Sequence, residues 1–177
     1  MALLTAGALS ACATATNVSS HVESGVDFAR YRSFDWGPAD SLPTGDPRLD
    51  KDPFFKDQLQ GAVERALAAR GIQLAPSGGT PDLRIHYHAN VTERIDVSGA
   101  DRRFGYCQTP DCQGRVDAYE AGTIVLDVVD TRTNRVVWRG WAQERLEPLL
   151  DNRDRLASHI QEAVKRMLAQ MPTAVAR

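Results

Sequence analysis

Apolar and polar residues alternate most regularly between residues 83 and 97. The odd positions of this segment are mostly apolar, whereas every even position from Arg84 to Asp96 is polar. Because successive strand residues point to opposite faces, the pattern predicts a strand with one packed face and one wet face. Two more strand patterns follow at 119–130 and 135–146, separated by Thr-Arg-Thr-Asn, which has the length and residue types of a hairpin turn. Together these segments predict an antiparallel meander.

Two segments have apolar residues at helical spacing instead. The first begins at Asp52-Pro53, where the carboxylate can cap free amides and the proline ring fits the first helical position, and it ends before Gly71. The spacing predicts a helix over 53–70. The second begins after Asp151 as its cap and ends at Pro172, with an apolar stripe on one side. The stripe residues are Leu156, Ile160, Ala163, Val164, Met167 and Met171.

An aromatic-rich stretch at 26–36 adds an earlier strand, and the proline-rich segment that follows it is a loop. The resulting order, β-α-β-β-β-α, predicts an α+β fold: a two-layer sandwich with both helices on one face of a four-stranded, mixed but mainly antiparallel sheet. A right-handed crossover through the first helix would make the first two strands parallel.

The N-terminal run before Cys12 is apolar but about a dozen residues long, too short for a membrane-spanning helix of about 20 residues. Leu9-Ser10-Ala11-Cys12 resembles the bacterial lipobox, which implies cleavage before Cys12 and acylation of its thiol. No Lys or Arg precedes Cys12, so we expect the charged start of the signal peptide to lie upstream. The alternative is a disordered N-terminus that contains a cysteine by chance. Ala13 rather than an Asp follows Cys12, which by analogy with enteric bacteria favours the outer membrane.

These features divide the chain into four parts. We expect a signal peptide at 1–11, a flexible tether at 12–25, a single α+β domain at 26–172 and a short tail at 173–177.

Charge and cysteine usage narrow the functional classes. A formal net charge of −2 and a pI near 6.1 give no general attraction to nucleic acid, which we therefore do not expect as a partner. With Cys12 acylated, Cys107 and Cys112 are left to form a small disulfide loop in an oxidising compartment, a redox or zinc role being the alternative. This loop lies in a long polar insertion at 98–117. Its arginine and aromatic side chains could contact an anionic or polymeric envelope partner, although a solvated surface loop is the default reading; they are Arg102, Arg103, Phe104, Tyr106 and Arg115.

His86 and His88 lie two residues apart on the polar face of the strand, a spacing that can serve a metal. A site would need a further ligand, for which Glu93, Asp96 and Asp127 are the candidates; two histidines on a wet sheet face is the simpler interpretation. Trp138 and Trp141 could suggest a carbohydrate platform. Their spacing of three puts them on opposite faces of a strand, so we expect Trp138 in the core.

No nucleotide-binding loop, His-Glu-x-x-His helix or Gly-x-Ser-x-Gly elbow occurs in the sequence. We therefore expect no cofactor and no catalytic site, and a binding or scaffolding role.

Several segments together resemble the bacterial lipoprotein family known as domain of unknown function 4136. They are VDFARYRSFDWG, LAARG, PDLRIHYH, VLDVVDTRTNRVVWRG and MLAQMP, which span about residues 26 to 172. The most specific piece is the Val-Asp turn followed by Val-Val-Trp-Arg-Gly. The resemblance implies an envelope lipoprotein and supplies no established activity.

Overall fold

The computed structural model describes residues 16–37, 44–51, 53–97 and 116–172. Its strands are β1 (Asn17–Val22), β2 (Ser33–Trp36), β3 (Gln73–Leu74), β4 (Leu83–Val97), β5 (Val116–Asp130) and β6 (Arg135–Arg145). Its helices are α1 (Pro47–Asp50), α2 (Phe54–Ala68), α3 (Glu147–Leu150) and α4 (Arg153–Ala169). A short 3-10 helix, Phe28–Arg30, precedes β2.

The strands form one mixed sheet in the order β1-β6-β5-β4-β2-β3. The predicted α+β class is confirmed, but the sheet has six described strands rather than four, and α1 and α3 accompany the two predicted helices. The parallel pairing predicted for the first two strands is seen between β2 and β4, where Phe34 lies opposite Leu83. The three long strands β4, β5 and β6 are antiparallel neighbours, as expected of a meander.

One face of the sheet, here called the inner face, packs against α2 and α4. The odd residues of β4 meet the even residues of β5 and β6 on this face, as in the row of Ile85, Val128 and Trp138. All three side chains are almost fully buried. The helices contribute their apolar stripes, including Leu59, Leu67, Val164 and Met167. The opposite, outer face bears the polar residues of the alternating pattern, and burial of the inner face fixes the register because a one-residue slip would exchange the two faces.

The tether predicted over 12–25 does not extend that far. Residues 17–22 form β1, which pairs antiparallel with β6 so that Asn17 lies opposite Gln143 and Val22 opposite Trp138. Three of its six residues are exposed and three are half-buried, so the segment has no clear apolar period of its own. Residues 17–22 adopt a strand because they pair with the edge of β6, whose backbone amides and carbonyls need hydrogen-bond partners.

The remaining corrections concern helix starts and the first strand. The 3-10 helix occupies part of the stretch predicted as a strand, since the Asp27 side chain accepts a hydrogen bond from the Ala29 amide, 3.0 Å away, and caps it. Pro53 is the N-cap of α2 rather than its first residue, and the predicted cap, Asp52, lies outside the described residues. The cap of α4 is Asn152 rather than Asp151, with its Oδ1 accepting from the Arg155 amide at 2.9 Å.

The β5–β6 hairpin is held by the buried carboxylate of Asp130. The amides of Arg132 and Thr133 donate to its Oδ1 at 2.9 and 3.0 Å, and the Tyr31 hydroxyl donates to Oδ2 at 2.9 Å. Arg30 forms an ion pair with the same carboxylate. Asp130 therefore closes the turn and fastens it to the segment before β2.

The Trp-Arg-Gly sequence in β6 has a steric explanation. Trp138 lies on the inner face, and its ring covers Gly140 so closely that a Cβ added there would be 2.2 Å from the ring. Arg139 points to the outer face, where its guanidinium binds Asp127. The motif thus places one aromatic ring over one glycine in the core and one ion pair outside.

Among the described residues, no helix is long and apolar enough to cross a membrane.

Candidate functional site

The two histidines singled out from the sequence lie on the outer face, but their surroundings differ. His86 is opposite Asp127 in the register, and its ring lies over Gly37, where an added Cβ would be 2.2 Å from the ring. His88 is opposite Val125, and its Nε2 is 4.0 Å from Oδ2 of Asp127. The strand therefore brings His88 toward the Asp127 carboxylate. It does not place the two histidine rings around a common space in which a metal ion could bind.

Asp127 is already engaged by a cation. Arg139 donates from Nε and Nη2 to its two carboxylate oxygens at 2.5 and 2.6 Å, and this hydrogen bonding raises the pKa of Arg139. A metal ion would have to compete with the guanidinium for both oxygens. Glu93, another candidate ligand, is exposed, and the side chain of Asp96 lies outside the described part of the molecule. Within the described ranges, no three His, Cys, Asp or Glu side chains converge as metal ligands would.

The two tryptophans of β6 lie on opposite faces, as predicted. Trp138 is fully buried on the inner face, and Trp141 is 36% exposed on the outer face. Trp141 lies beside Val125 of β5 and Ser19 of β1. A single half-exposed ring does not form the paired platform considered from the sequence.

A cleft opens between the inner face and the helices at the end of the sheet where β1 begins. The sheet wall includes the small residues Ala89, Gly122 and Ala142 beside the larger Val91 and Ile124. From α4 come Leu156, Ile160 and Ala163. Phe55 of α2 and Leu49 of α1 close the far side. Thr16, the residue before β1, also lines the cleft. Leu146 covers Gly122, where an added Cβ would be 2.7 Å from its side chain, so the cleft is small, with a cavity volume of about 50 Å³.

One pair of ionisable side chains lies in this apolar cleft. Glu144 is the β6 residue that continues the inner-face series of Trp138, Gly140 and Ala142, and its side chain is only 11% exposed. Its Oε1 is 2.7 Å from Nδ1 of His159 on α4, whose side chain is 30% exposed. Buried carboxylates are costly unless they are paired, so His159 compensates Glu144. The cleft therefore combines apolar walls with one polar pair, which is the usual composition of a small-molecule site.

Sequence reasoning missed this site, although a signal was present. His159 lies three residues after Leu156 and four before Ala163, so its position belongs to the buried stripe of the helix. Glu144 likewise keeps the period of two that places Ala142 inside. Two ionisable residues on predicted buried faces, in elements predicted to pack together, indicate a pair.

The remaining predicted site residues lie outside the described residues. They are the acylation site Cys12, the disulfide pair Cys107 and Cys112, and the insertion residues Arg102, Arg103, Phe104, Tyr106 and Arg115.

Comparison with protein families decides the affiliation of the chain. The family model described as "Domain of unknown function (DUF4136)" matches residues 18–173. The chain belongs to the DUF4136 family. The match begins at residue 18, one residue after the start of β1, so the part of the chain that the DUF4136 model matches includes all of β1 except Asn17.

Solved structures share the DUF4136 fold at low sequence identity. A DUF4136 family protein from Bacteroides thetaiotaomicron superposes with a TM-score of 0.55 and 16% identity, covering 89% of this chain and 96% of the other. A PDZ domain protein from Parabacteroides distasonis gives a TM-score of 0.53 and 18% identity over 89% of this chain. The chain spans only 36% of that protein's length. At these identities the likeness concerns the fold alone.

A third structure is the PelC dodecamer from Paraburkholderia phytofirmans, with a TM-score of 0.47, 15% identity and coverage of 88% of this chain and 96% of that one. No curated protein matches the chain.

Proposed function

We propose that this DUF4136 chain is a lipid-anchored, non-catalytic binding module that faces the periplasm from the outer membrane of a bacterial cell. The observation that carries the proposal is the sequence Leu9-Ser10-Ala11-Cys12 immediately ahead of the domain. A cysteine in this context is the attachment point of a diacylglyceryl group, and the small residues before it suit signal-peptide cleavage. Because one acyl chain gives only marginal membrane binding, the several chains of a lipoprotein anchor make attachment stable.

The position of β1 makes this anchor a short one. Thr16 is buried at the start of the domain and lies four residues after Cys12. Four residues span at most about 14 Å even when fully extended. An acylated Cys12 would therefore hold the β1 end of the sheet, and the cleft that Thr16 lines, close to the bilayer surface.

The binding role is supported by the apolar cleft and by the composition of the insertion. The partner we propose is another envelope protein or polymer, contacted through Arg102, Arg103, Phe104, Tyr106 and Arg115 of the insertion, which the disulfide between Cys107 and Cys112 would stiffen. Nucleic acid is not proposed, because the net charge is −2.

Lipid attachment is tested by labelling cells that express the protein with an alkyne-bearing fatty acid. The wild-type chain and Cys107→Ser should both carry the label and sediment with outer membranes. Cys12→Ser should carry none and should be lost from the membrane fraction. Equal labelling of Cys12→Ser and wild type would overturn the anchor.

Partner binding is tested by crosslinking in the intact envelope, followed by purification under denaturing conditions. The wild type should yield one defined crosslinked species, and deletion of residues 98–115 should abolish it. An unchanged pattern after the deletion would contradict a role for the insertion.

A metal-binding role for His86 and His88 is the second candidate, favoured by the 4.0 Å approach of His88 to Asp127. The guanidinium of Arg139 on the same carboxylate weighs against it. Calorimetric titration with zinc or copper tests this metal site. Metal binding by the wild type that is lost in His86→Ala would support the site. No binding by the wild type, or equal binding by His86→Ala, would rule it out.

A further inference from the structure

We propose that β1 is the contact strand of a twofold dimer, in which the open edges of two copies pair antiparallel and join their sheets into one. The strand order places β1 at one end of the sheet, beside β6, and among the described residues no strand lies on its other side. An open strand edge is a ready template for another strand unless the sequence protects it. The pairing does not depend on the lipid anchor proposed above.

Alternate residues of β1 direct their backbone amides and carbonyls away from β6. Glu23, just after β1, donates its amide to the carbonyl of Val137 at 3.0 Å. On the other side of β6, the amide of Leu146 donates to the carbonyl of Glu120 at 2.9 Å. Because hydrogen-bonded residues alternate along antiparallel strands, the backbone groups of odd residues in β6 point toward β1, and odd residues of β1 lie opposite them. The residues that point outward are therefore Val18, Ser20 and Val22.

One register pairs all three outward residues. With the twofold axis through Ser20, Val18 lies opposite Val22 of the second copy, and Ser20 lies opposite itself. Sliding the strands by two residues would leave one outward residue of each copy without a partner in β1. A slip by one residue would set the inner face of one sheet against the outer face of the other. The axis through Ser20 therefore gives the most hydrogen bonds and keeps both inner faces on one side.

The sequence of the strand fits a copy of itself. Residues 18–22, Val-Ser-Ser-His-Val, read nearly the same in both directions about the central serine. Val22 is 37% exposed although it belongs to the inner face, and Val18 of the second copy would cover it. On the outer face, His21 would lie opposite Ser19, whose hydroxyl can exchange a hydrogen bond with the imidazole ring. A twofold contact requires this self-complementarity, because each strand meets the same strand.

Charge and the opposite edge of the sheet favour a closed pair of copies. Residues 17–22 contain no Asp, Glu, Lys or Arg, so a symmetric pair sets no like charges against each other. At the ends of the pair, the Asn17 amide would face Glu23, whose carboxylate already binds Arg135. The other edge strand, β3, has only two residues and is soon followed by Pro76, so it offers little backbone for pairing. Pairing therefore stops at two copies.

The size of the contact predicts a reversible dimer. Each copy contributes the six residues of β1, compared with about 20–30 residues a side in a standard protein–protein interface. Contacts of the small class are typically transient. We therefore expect association at high protein concentration, and the test combines equilibrium measurements with a covalent trap.

Cysteine crosslinking tests the register on the full chain, with its three native cysteines replaced by serine so that only introduced thiols react. Under mild oxidation, Ser20→Cys should form a disulfide-linked dimer, because directly paired Cα atoms about 5.5 Å apart lie within the range of a disulfide. Ser19→Cys is the matched control and should crosslink at least about tenfold more slowly, since its own copy lies diagonally across the pair. A mixture of Ser19→Cys and His21→Cys should crosslink the two variants to each other.

Circular dichroism establishes that each variant is folded. If the cysteine-free chain does not fold, the same substitutions are made with Cys107 and Cys112 retained, and mass spectrometry of the joined peptides identifies the crosslinked residues.

Analytical ultracentrifugation of the unacylated Cys12→Ser chain measures the reversible association. Val22→Ser should raise the dissociation constant of the dimer by at least about fivefold, because it removes an apolar contact twice in each dimer. Val136→Ser changes a valine of similar exposure, 40%, outside the strand edge and should leave the constant unchanged. Ser20→Pro removes an outward amide and should abolish association, whereas Ser20→Ala keeps the amide and should associate like its parent.

Three results would overturn the proposal. The first is crosslinking of Ser20→Cys that is no faster than that of Ser19→Cys. The second is equal association of Val22→Ser and Val136→Ser, and the third is a chain that stays monomeric and forms no crosslink, which would show that the edge does not pair with itself. Because the tested chains carry no acyl group, these results leave the lipid anchor untouched, and failure of the anchor test leaves the dimer in place.

Discussion

Asp130 shows how one side chain can hold several parts of the molecule together. Its carboxylate accepts hydrogen bonds from two turn amides and from Tyr31, so it closes the β5–β6 turn and fixes the segment before β2. Burial raises the pKa of Asp130, but the hydrogen bonds from Tyr31, Thr133 and Arg132 and the charge of Arg30 outweigh it and hold the pKa below its ordinary value of 3.8. The ionised form is therefore the one that the folded state prefers.

This preference predicts acid destabilisation with a definite sign. A carboxylate whose pKa is lowered on folding contributes its full stabilisation above about pH 5 and loses it as the pH falls through 3.8 toward the folded-state value. Asp130→Asn should lower the free energy of unfolding by about 1–3 kcal/mol at pH 7. It should also flatten the dependence of that free energy on pH between about 5 and 2. Urea unfolding over this range measures both, and Asp151→Asn, at an exposed position, is the control that should change neither.

Gly140 provides a second test at the residue scale. A Cβ at this position would be 2.2 Å from the Trp138 ring, which is fully buried and cannot move aside. Gly140→Ala should lower the free energy of unfolding by roughly 1–3 kcal/mol. Gly61→Ala is the matched control, because its Cβ would meet only the flexible end of Arg65 in a helix that favours alanine. It should raise stability by up to about 1 kcal/mol, and a similar loss in both variants would refute the steric explanation.

The candidate site was out of reach of motif searches because its chemistry is distributed. Glu144 and His159 are on β6 and α4, and only the packing of these elements brings them within 2.7 Å. His86 and His88 could be placed on one face from the sequence. Their separate environments depend on Gly37, which follows β2, and on Arg139 of β6.

At the scale of elements, the sequence pattern predicted correctly those strands and helices that bury one face. It did not predict the short strands whose conformation depends on pairing with a neighbouring strand. The strand predicted at 83–97 has the bounds of β4, and the helix predicted at 53–70 differs from α2 by one or two residues at each end. Both have a strong period set by a buried face. By contrast, β1 is a half-exposed edge strand whose conformation depends on β6, and β3 has two residues. Such elements carry little pattern of their own.

Deleting β1 tests whether residues 17–22 form a stabilising strand or a flexible tether. A chain lacking residues 13–22 should be less stable than the full chain by about 1–6 kcal/mol, because six cross-strand pairs contribute roughly 0.2–1 kcal/mol each. It should also expose the edge of β6 and aggregate more readily. Thermal and urea unfolding of both chains measure the difference. Equal stability would show that the segment is a tether after all.

At the scale of the whole molecule, a compact sandwich is joined to a short N-terminal segment that bears the proposed lipid. Because the ordered chain begins by Asn17, the proposed anchor at Cys12 would hold the domain close to the membrane rather than on a long tether. The apolar cleft and the start of β1 lie at the same end of the sheet. The proposed anchor would therefore turn this end of the domain toward the bilayer.

The most direct test of this picture is the intact mass of the native protein extracted from bacterial membranes. We expect a chain that begins at Cys12, carries a diacylglyceryl group and one further acyl chain, and is two mass units lighter than its reduced form because Cys107 and Cys112 are joined. A protein that retains Met1, bears no acyl group and is recovered from the cytosol would contradict the proposed anchor, the disulfide and the envelope role together.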